Sequence, residues 1–236
     1  MADRQQHELQ RLRRVYRARR ARGVEDRYAP YERSNLFRLQ RLERDLARAL
    51  RGAGLLPLRN VRALDLGCGG GWWLRQMLRW GAHPTLLAGV DALREAAAAT
   101  ASIHPGIACV QAGGDALPFA AGTFDLVSQF TVFSSILDAG VRRRAAAELR
   151  RVLRPGGLIL WYDFTLNPFN PDTHPIGRRE LAALFPGCRI EARRVTLAPP
   201  LARLLAPRAW QIAELLEGLP LLRTHLLAVI RDDRRH

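Results

Sequence analysis

The chain has 236 residues, 48% of them hydrophobic, and a formal net charge of +15. This length accommodates one large α/β core but not a second complete domain. No apolar run is long enough and free enough of charge to span a membrane, and the start of the chain lacks the apolar segment of a secretory signal. Three cysteines at unrelated positions argue against a disulfide scaffold or a metal cluster, so we expect a cytoplasmic protein without a metal site.

The positive charge is concentrated near the N-terminus. All basic residues are arginine, and residues 1–60 hold 16 of them against 7 acidic residues. Apolar residues at helical spacing predict helices at about residues 4–22 and 34–51. The first is basic and amphipathic, so nucleic acid, an anionic membrane surface or an acidic substrate are candidate partners, and a solvated helix face is the alternative. We interpret residues 1–58 as a helical extension that precedes a core of residues 59–236.

A glycine-rich turn follows the first predicted strand. Residues 61–66 form that strand, the run Gly67-Cys68-Gly69-Gly70-Gly71 follows directly, and Trp72 opens a helical stretch. Glycines let the backbone approach a nucleotide-like ligand closely because no Cβ intervenes. A phosphate-binding P-loop requires a lysine, and the chain has none; the dinucleotide fingerprint requires a small residue where Trp72 stands. The turn therefore indicates a cofactor site of another kind.

The segment Asp65-Leu66-Gly67-Cys68-Gly69-Gly70-Gly71 resembles the first motif of the class I S-adenosylmethionine (SAM) methyltransferases, whose cofactor has no phosphate. Three later segments resemble further motifs of that family, in order and at compatible spacings: GGDALPF at 113–119, FDLVSQF at 124–130 and LRPGG at 153–157. The resemblance covers roughly residues 60–165. It implies SAM as the cofactor, and it implies that the N-terminal extension, residues 1–58, forms a lid over the site.

The cofactor residues follow from this resemblance and from the strand ends. Asp91 ends an apolar segment about twenty residues beyond the glycine run, where its carboxylate can accept hydrogen bonds from both ribose hydroxyls; a helix N-cap is the alternative. The resemblance assigns Asp115 to the adenine amine and Ala116 to a backbone contact, with a turn aspartate as the alternative. The predicted cofactor-binding residues are Asp65, Gly67, Cys68, Gly69, Gly71, Asp91, Ala92, Gly114, Asp115, Ala116, Gln129 and Phe130.

Strand and helix signals alternate along the core. The predicted strands are 61–66, 85–90, 107–111, 124–130, 157–163, 189–197 and 224–230. The predicted helices are 72–80, 92–101, 139–152, 178–185 and 200–217. Alternation of this kind implies a doubly wound α/β fold with ligands at the carboxyl ends of the strands. The resemblance adds an antiparallel final pair, which gives a Rossmann-like, mostly parallel seven-stranded sheet with helices on both faces and an N-terminal helical cap.

The methyl acceptor is expected at the rim of this site, in the polar, proline-rich segment after the fifth strand. Asp163, as base or acceptor anchor, Tyr162 and His174 are the candidate catalytic residues. Bracing of the loop, a core position and an exposed loop position are their respective alternatives, and His225 is assigned to the last strand. The candidate substrate-binding residues are Tyr31, Arg33, Phe133 and Asn167, with a core position as the alternative for Phe133.

These features predict a methyltransferase that uses SAM and acts on an oxygen or nitrogen atom of a small molecule, such as a specialised metabolite or a saccharide intermediate. One alternative is an RNA methyltransferase that uses the basic N-terminal helix. Another is a protein that binds SAM without turnover. Nucleic acid is not favoured, because the Asp/Asn/Ser-Pro-Pro-aromatic signature of DNA amino-methyltransferases is replaced after the fourth strand by Ser128-Gln129-Phe130-Thr131, and no Pro-Cys pair occurs.

Overall fold

The structure is a computed structural model that describes residues 2–21, 23, 26, 28–168 and 170–232. Eight α-helices lie within these residues: α1 Ala2–Ala21, α2 Arg33–Gly52, α3 Trp72–Arg79, α4 Arg94–Ile103, α5 Ala139–Val152, α6 Arg178–Leu184, α7 Pro199–Leu205 and α8 Trp210–Glu217. Seven strands accompany them: β1 Ala63–Leu66, β2 Leu87–Asp91, β3 Ala108–Gln111, β4 Phe124–Phe130, β5 Leu153–Phe164, β6 Arg189–Leu197 and β7 Arg223–Arg231. None of the described helices has the length and apolar character needed to cross a lipid bilayer.

The strands form one sheet in the order β3-β2-β1-β4-β5-β7-β6. Strands β1 to β5 are parallel, and β7 runs antiparallel to both β5 and β6. This confirms the predicted doubly wound α/β fold and its antiparallel final pair. Because β1 and β4 lie at the centre of the sheet with both faces covered, their sequences are continuous buried runs rather than alternating ones.

Helix α2 packs directly on the sheet. Leu42, Leu46 and Leu50 recur every four residues and therefore lie on one helix face, which shares a core cluster with Leu160 of β5. The N-terminus of α2 is fixed by Glu32, whose side chain accepts a hydrogen bond from the Asn35 amide at 3.0 Å. This part of the extension is thus continuous with the hydrophobic core.

Two of the predicted helix boundaries differ from those in the structure. The helix expected at 200–217 is two helices, α7 and α8, because Pro207 has no amide to continue the helix. The helix expected to start at residue 92 begins at Arg94, two residues further from the end of β2. The chain between Asp91 and α4 is consequently a short turn that lies beside the glycine run.

Candidate functional site

The glycine run forms a tight turn between β1 and α3. Gly67 and Cys68 both donate their amides to the carbonyl of Val90, at 2.7 and 3.0 Å, which ties the turn to the end of β2. Gly67 has φ +73°, and a Cβ there would lie 2.3 Å from Cγ2 of Val132. Only glycine therefore lets the segment after β4 close over this turn.

Asp91 connects the turn to β2. One carboxylate oxygen accepts the Gly69 amide at 3.0 Å, and the other accepts the Leu93 amide at 2.9 Å. Burial raises the pKa of Asp91, and these two hydrogen bonds oppose that rise. The cap residue of α4 is Leu93, so Asp91 is not the N-cap of that helix; it binds the amide of the cap residue instead. Ala92 follows it in the same turn.

Thr100 holds the other side of the turn, and it is not among the residues predicted from the sequence. Its Oγ1 donates to the Gly69 carbonyl at 2.6 Å, and its Cγ2 would lie 2.9 Å from a Cβ on Gly71. Thr100 is fully buried within an alanine-rich helix. A lone hydroxyl in that alanine run is the signal that could have revealed it.

Asp65, at the end of β1, lies beneath the turn rather than on its surface. The side chain is buried and accepts a hydrogen bond from Ser128 Oγ at 3.0 Å. Burial raises the pKa of Asp65 to about 8, and the Ser128 bond opposes this shift. The carboxyl group is therefore protonated at neutral pH, and Asp65 supports the turn from below.

Two of the predicted adenine-side residues are engaged by the chain itself. Asp115 Oδ2 accepts from Arg144 Nη2 at 3.0 Å, and the Ala116 amide donates to the Gly113 carbonyl at 3.2 Å. Gly114 lies against Leu66, with a Cβ position 3.2 Å from Cδ2 of that leucine. The geometry places this turn beside β1 and α5, and the adenine contacts stay a prediction.

The carboxyl end of β4 carries Gln129 and Phe130. Gln129 is fully buried, and its Oε1 accepts the Val132 amide at 3.0 Å, so it shapes the turn after the strand. Phe130 is half-buried and packs edge-on against Trp72, with ring centroids 6.0 Å apart. The structure therefore brings Phe130 to the glycine turn, whereas Gln129 is buried and holds the turn after β4.

Asp163 lies on the opposite face of β5 from Tyr162. It is fully buried, with one oxygen accepting the Phe164 amide at 2.8 Å and the other the Ser134 amide at 3.1 Å. Burial raises the pKa of Asp163 to about 6, against hydrogen bonds from Ser134, Phe164 and Gln129. These contacts fix the segment after β4 to the end of β5, as in the bracing alternative.

Tyr162 belongs to a polar cluster, which comprises the buried Tyr162, Thr196 and His225 and the half-buried Arg38. Its hydroxyl lies 2.9 Å from Thr196 Oγ1, and its ring stacks on His225 with centroids 4.7 Å apart. Arg38 of α2 is close enough to oppose the burial that raises the pKa of Tyr162, and it helps burial to lower the pKa of His225 well below its usual value. Arg38 and Thr196 were not predicted from the sequence, because α2, β6 and β7 meet β5 only in the folded chain.

Backbone strain is concentrated around the same tyrosine. Thr131 and Thr196, with φ of 57° and 66°, are the non-glycine residues with positive φ in the described part of the chain. The Thr131 amide donates to the Tyr162 carbonyl at 2.8 Å, and the Thr196 hydroxyl meets the Tyr162 hydroxyl. Such strained positions cluster at functional sites, where the surrounding structure maintains them.

The remaining predicted residues lie away from this cluster. His174 Nε2 lies 2.8 Å from Glu180 Oε2, and Asn167 Nδ2 donates to Thr173 Oγ1 at 3.1 Å, so both brace the loop after β5. Phe133 is fully buried against Trp161, because the turn after β4 directs it inward to the α5 face. Tyr31 and Arg33, at the start of α2, are exposed. The substrate contacts of Tyr31, Arg33, Phe133 and Asn167 stay predictions.

Helix α1 crosses the carboxyl edge of the sheet. Glu8 Oε1 accepts the Leu137 amide at 2.8 Å, and Arg11 donates to the Ser135 carbonyl. Further along the helix, Tyr16 lies close enough to Asp91 to interact with it electrostatically. Since Asp91 ends β2 and the 133–137 segment follows β4, α1 lies above the glycine turn between them.

These features fit the cofactor that the resemblance implies. The turn offers uncharged backbone at Gly67 and Gly69, beside the carboxylate of Asp91, and α1 contacts the neighbouring 133–137 segment. A ribose can donate its hydroxyl groups to such a carboxylate. Asp91 and the turn are therefore the residues that would hold SAM.

Comparisons with known proteins support this assignment. Residues 64–161 match a family model described as a methyltransferase domain. The ubiquinone biosynthesis O-methyltransferase of Caulobacter sp. (strain K31) is 35% identical over 128 residues, which are 52% of this chain and 46% of that protein. The protein of the same name from Maricaulis maris (strain MCS10) is 29% identical over 147 residues, 58% of this chain and 53% of the other. The alignments thus span about half the length of these curated relatives.

The fold is also found among solved structures. A SAM-dependent methyltransferase from Mesorhizobium loti superposes with a TM-score of 0.57 at 21% identity, over 78% of this chain and 96% of that one. At this identity the likeness establishes the arrangement of strands and helices.

Proposed function

We propose that this protein, which matches a methyltransferase domain over residues 64–161, transfers a methyl group from SAM to an oxygen or nitrogen atom of a small molecule. The names of the curated relatives, both O-methyltransferases, support oxygen as the acceptor atom. A specialised metabolite or a saccharide intermediate fits the same proposal.

The observation that carries this proposal is the position of α1. Glu8 and Arg11 attach the helix to the 133–137 segment, so the chain itself covers the edge where donor and acceptor must meet. A covered site admits a small molecule when the helix lifts, whereas a polynucleotide needs an open groove. Because enclosure also excludes water, it suits transfer of a methyl group that water would otherwise accept.

SAM, when bound, supplies an electrophilic methyl group on a sulfonium. The chain must then position the acceptor atom in line with it and stabilise the acceptor as it loses its proton. We assign these tasks to the Tyr162 cluster defined above. Arg38 is permanently charged and stabilises an acceptor oxygen as it becomes negative. The imidazole of His225 is neutral because burial lowers its pKa, so it can accept a hydrogen bond from the hydroxyl of the acceptor.

Asp163 has a positioning role in this proposal. Both of its oxygens accept backbone amides, and it lies on the sheet face that packs against α5 and α6. Through Ser134 it holds the segment on which α1 rests. An Asp163→Asn variant is therefore expected to change turnover through loop position, with little change in SAM affinity.

The substrate class can be tested with radiolabelled SAM and a cell extract divided into three fractions. The fractions are small molecules that pass an ultrafiltration membrane, RNA, and protein. We expect label in the first fraction alone. Label in RNA, lost after removal of residues 1–22, would support the RNA alternative, for which the exposed Arg13, Arg14 and Arg17 on α1 provide a basic face. SAM binding without label in any fraction would support a protein that binds the cofactor without turnover.

The acceptor side can be tested with Arg38→Gln and His225→Gln. Both should lower kcat/KM for the acceptor by about 10²- to 10⁴-fold, the range of a lost general base or charge-stabilising contact, while the Kd for SAM stays within about twofold. Arg48→Gln, an exposed arginine on the same helix, is the matched control. An equal loss of SAM affinity in the two cluster variants would contradict the assignment.

A further inference from the structure

Two of the three cysteines meet beside the glycine turn. Cys68 lies in the turn and is buried, and its Sγ is 3.0 Å from the position that a Cβ on Gly89 would occupy. In the sheet, Gly89 of β2 pairs with Cys109 of β3. Register partners on neighbouring strands direct their side chains to the same face, so Cys109 points to the side where Cys68 lies.

Gly89 makes the contact between the two thiols feasible. Any larger residue there would occupy the space that Cys68 Sγ fills, and it would separate the sulfurs. Both thiols pack in the same core cluster. The neighbouring Cys68 thiol and the Gly89 amide lower the pKa of Cys109, whereas the neighbouring Cys109 and burial raise the pKa of Cys68. Cys109 is therefore the better nucleophile.

The two cysteines differ in access as well. Strand β3 is an edge strand of the sheet, and Cys109 is partly exposed on it. Cys68, which lies in the turn, is only 5% exposed. A small oxidant can thus reach Cys109 from solvent, whereas Cys68 is reached through Cys109. An accessible nucleophilic thiol with a second thiol beside it is the arrangement of a peroxide-sensitive pair.

We propose that Cys109 and Cys68 form a reversible, hydroperoxide-sensitive modification site whose oxidation weakens binding of the cofactor. The Cys109 thiolate attacks the distal oxygen of the hydroperoxide, the O–O bond breaks, and the alkoxide leaves as an alcohol after taking up a proton. Cys109 becomes a sulfenic acid. The sulfur of Cys68 then displaces its hydroxyl, the thiol proton leaves with it as water, and a disulfide forms. The peroxide is reduced by two electrons, and the two thiols are oxidised by two.

The link to the cofactor site runs through the turn. Cys68 directly precedes Gly69, whose amide binds Asp91, and its own carbonyl accepts the Gly71 amide at 2.7 Å. A disulfide is shorter than a contact between thiols, so it draws Cys68 toward β3 and displaces Gly69 from Asp91. Oxidation should therefore weaken SAM binding, and bound SAM should slow oxidation by the same coupling. This consequence rests on the cofactor role proposed above, whereas the chemistry of the pair does not.

The experiment oxidises the full-length protein with hydrogen peroxide and follows its intact mass, its peptide map and its affinity for S-adenosylhomocysteine by calorimetry. We expect the loss of two hydrogens, a Cys68–Cys109 peptide that dithiothreitol reverses, and affinity reduced on the order of tenfold or more. Cys109→Ser should show none of these changes. Cys68→Ser should stop at the sulfenic acid, which dimedone traps. Cys188→Ser, a partly buried cysteine packed in the other core cluster, should behave as wild type.

Three results would overturn the proposal: a crosslink that involves Cys188, oxidation of Cys109 to sulfinic acid without a disulfide, or a disulfide that leaves the affinity unchanged. If the reduced protein binds no S-adenosylhomocysteine, the proposed function fails. The mass and peptide map then still decide whether the thiol pair reacts.

Discussion

Asp65→Asn tests whether the carboxyl group beneath the glycine turn is protonated in the folded protein. The pKa of Asp65 is raised from 3.8 to about 8 because the side chain is fully buried. Between these two values the folded state holds a proton on Asp65 that the unfolded state has released. Rising pH therefore favours the unfolded state across this window, and the stability that protonation provides is lost as pH rises toward 8.

The size of the effect follows from the pKa shift. One pH unit in this window costs 1.36 kcal/mol, so the difference between wild type and variant should change by about 2 kcal/mol from pH 6.5 to pH 8. The lower end of this pH range lies above the pKa of Asp163, which is about 6. Most of the titration of that second buried carboxyl group therefore lies outside the range. Asparagine has the shape of a protonated aspartate and can still accept the Ser128 hydrogen bond, so its stability lacks this slope.

The assay is urea denaturation of both proteins at several pH values, with the free energy of unfolding extrapolated to water. Glu95→Gln, on the exposed start of α4, controls for the loss of a surface carboxylate and should follow wild type. We expect the variant to gain stability relative to wild type as pH rises. Parallel curves for wild type and Asp65→Asn would show that Asp65 is ionised in the fold and would refute the reasoning.

Three further predictions concern the turn and the acceptor cluster. Asp91→Ala should weaken SAM binding by about 1–3 kcal/mol in calorimetry, because a charge-assisted acceptor is lost. Gly67→Ala should destabilise the fold by about 1–3 kcal/mol in urea denaturation, since its Cβ meets Val132 at φ +73°. Adding Val132→Ala should restore part of that loss. Tyr162→Phe should cost about 1 kcal/mol of stability, because it removes the hydrogen bond to Thr196.

Matched controls separate these effects from general damage. Glu95→Ala, an exposed carboxylate next to the same turn, should leave SAM affinity unchanged, and equal losses in both variants would argue against the role of Asp91. If Val132→Ala restores nothing to Gly67→Ala, the clash is not the cause. Tyr31→Phe, on an 84% exposed tyrosine, should be neutral; a loss as large as that of Tyr162→Phe would contradict the hydrogen-bond argument.

Local patterns were enough to predict much of the fold. The alternation of strands and helices depends on hydrophobic periodicity within each segment, and the parallel part of the sheet agrees with it. The antiparallel final pair was implied by the family resemblance. The break between α7 and α8 shows the limit of periodicity: the apolar pattern continues through Pro207, but the backbone cannot. Likewise, Asp91 was correctly placed at the end of β2, yet the start of α4 depends on how the turn packs against the glycine run.

The sequence alone predicted the binding site of the methyl donor. The glycine turn and Asp91 follow strands that are contiguous in the chain, so the motifs that carry the resemblance to SAM methyltransferases are visible before any packing is known. The tertiary structure decided the rest: that Asp163 faces the core, that Arg38 and Thr196 join Tyr162 and His225, and that Cys109 meets Cys68 over Gly89. These contacts join residues far apart in the chain, because neighbours across a sheet are set by strand order and register, which no local pattern encodes.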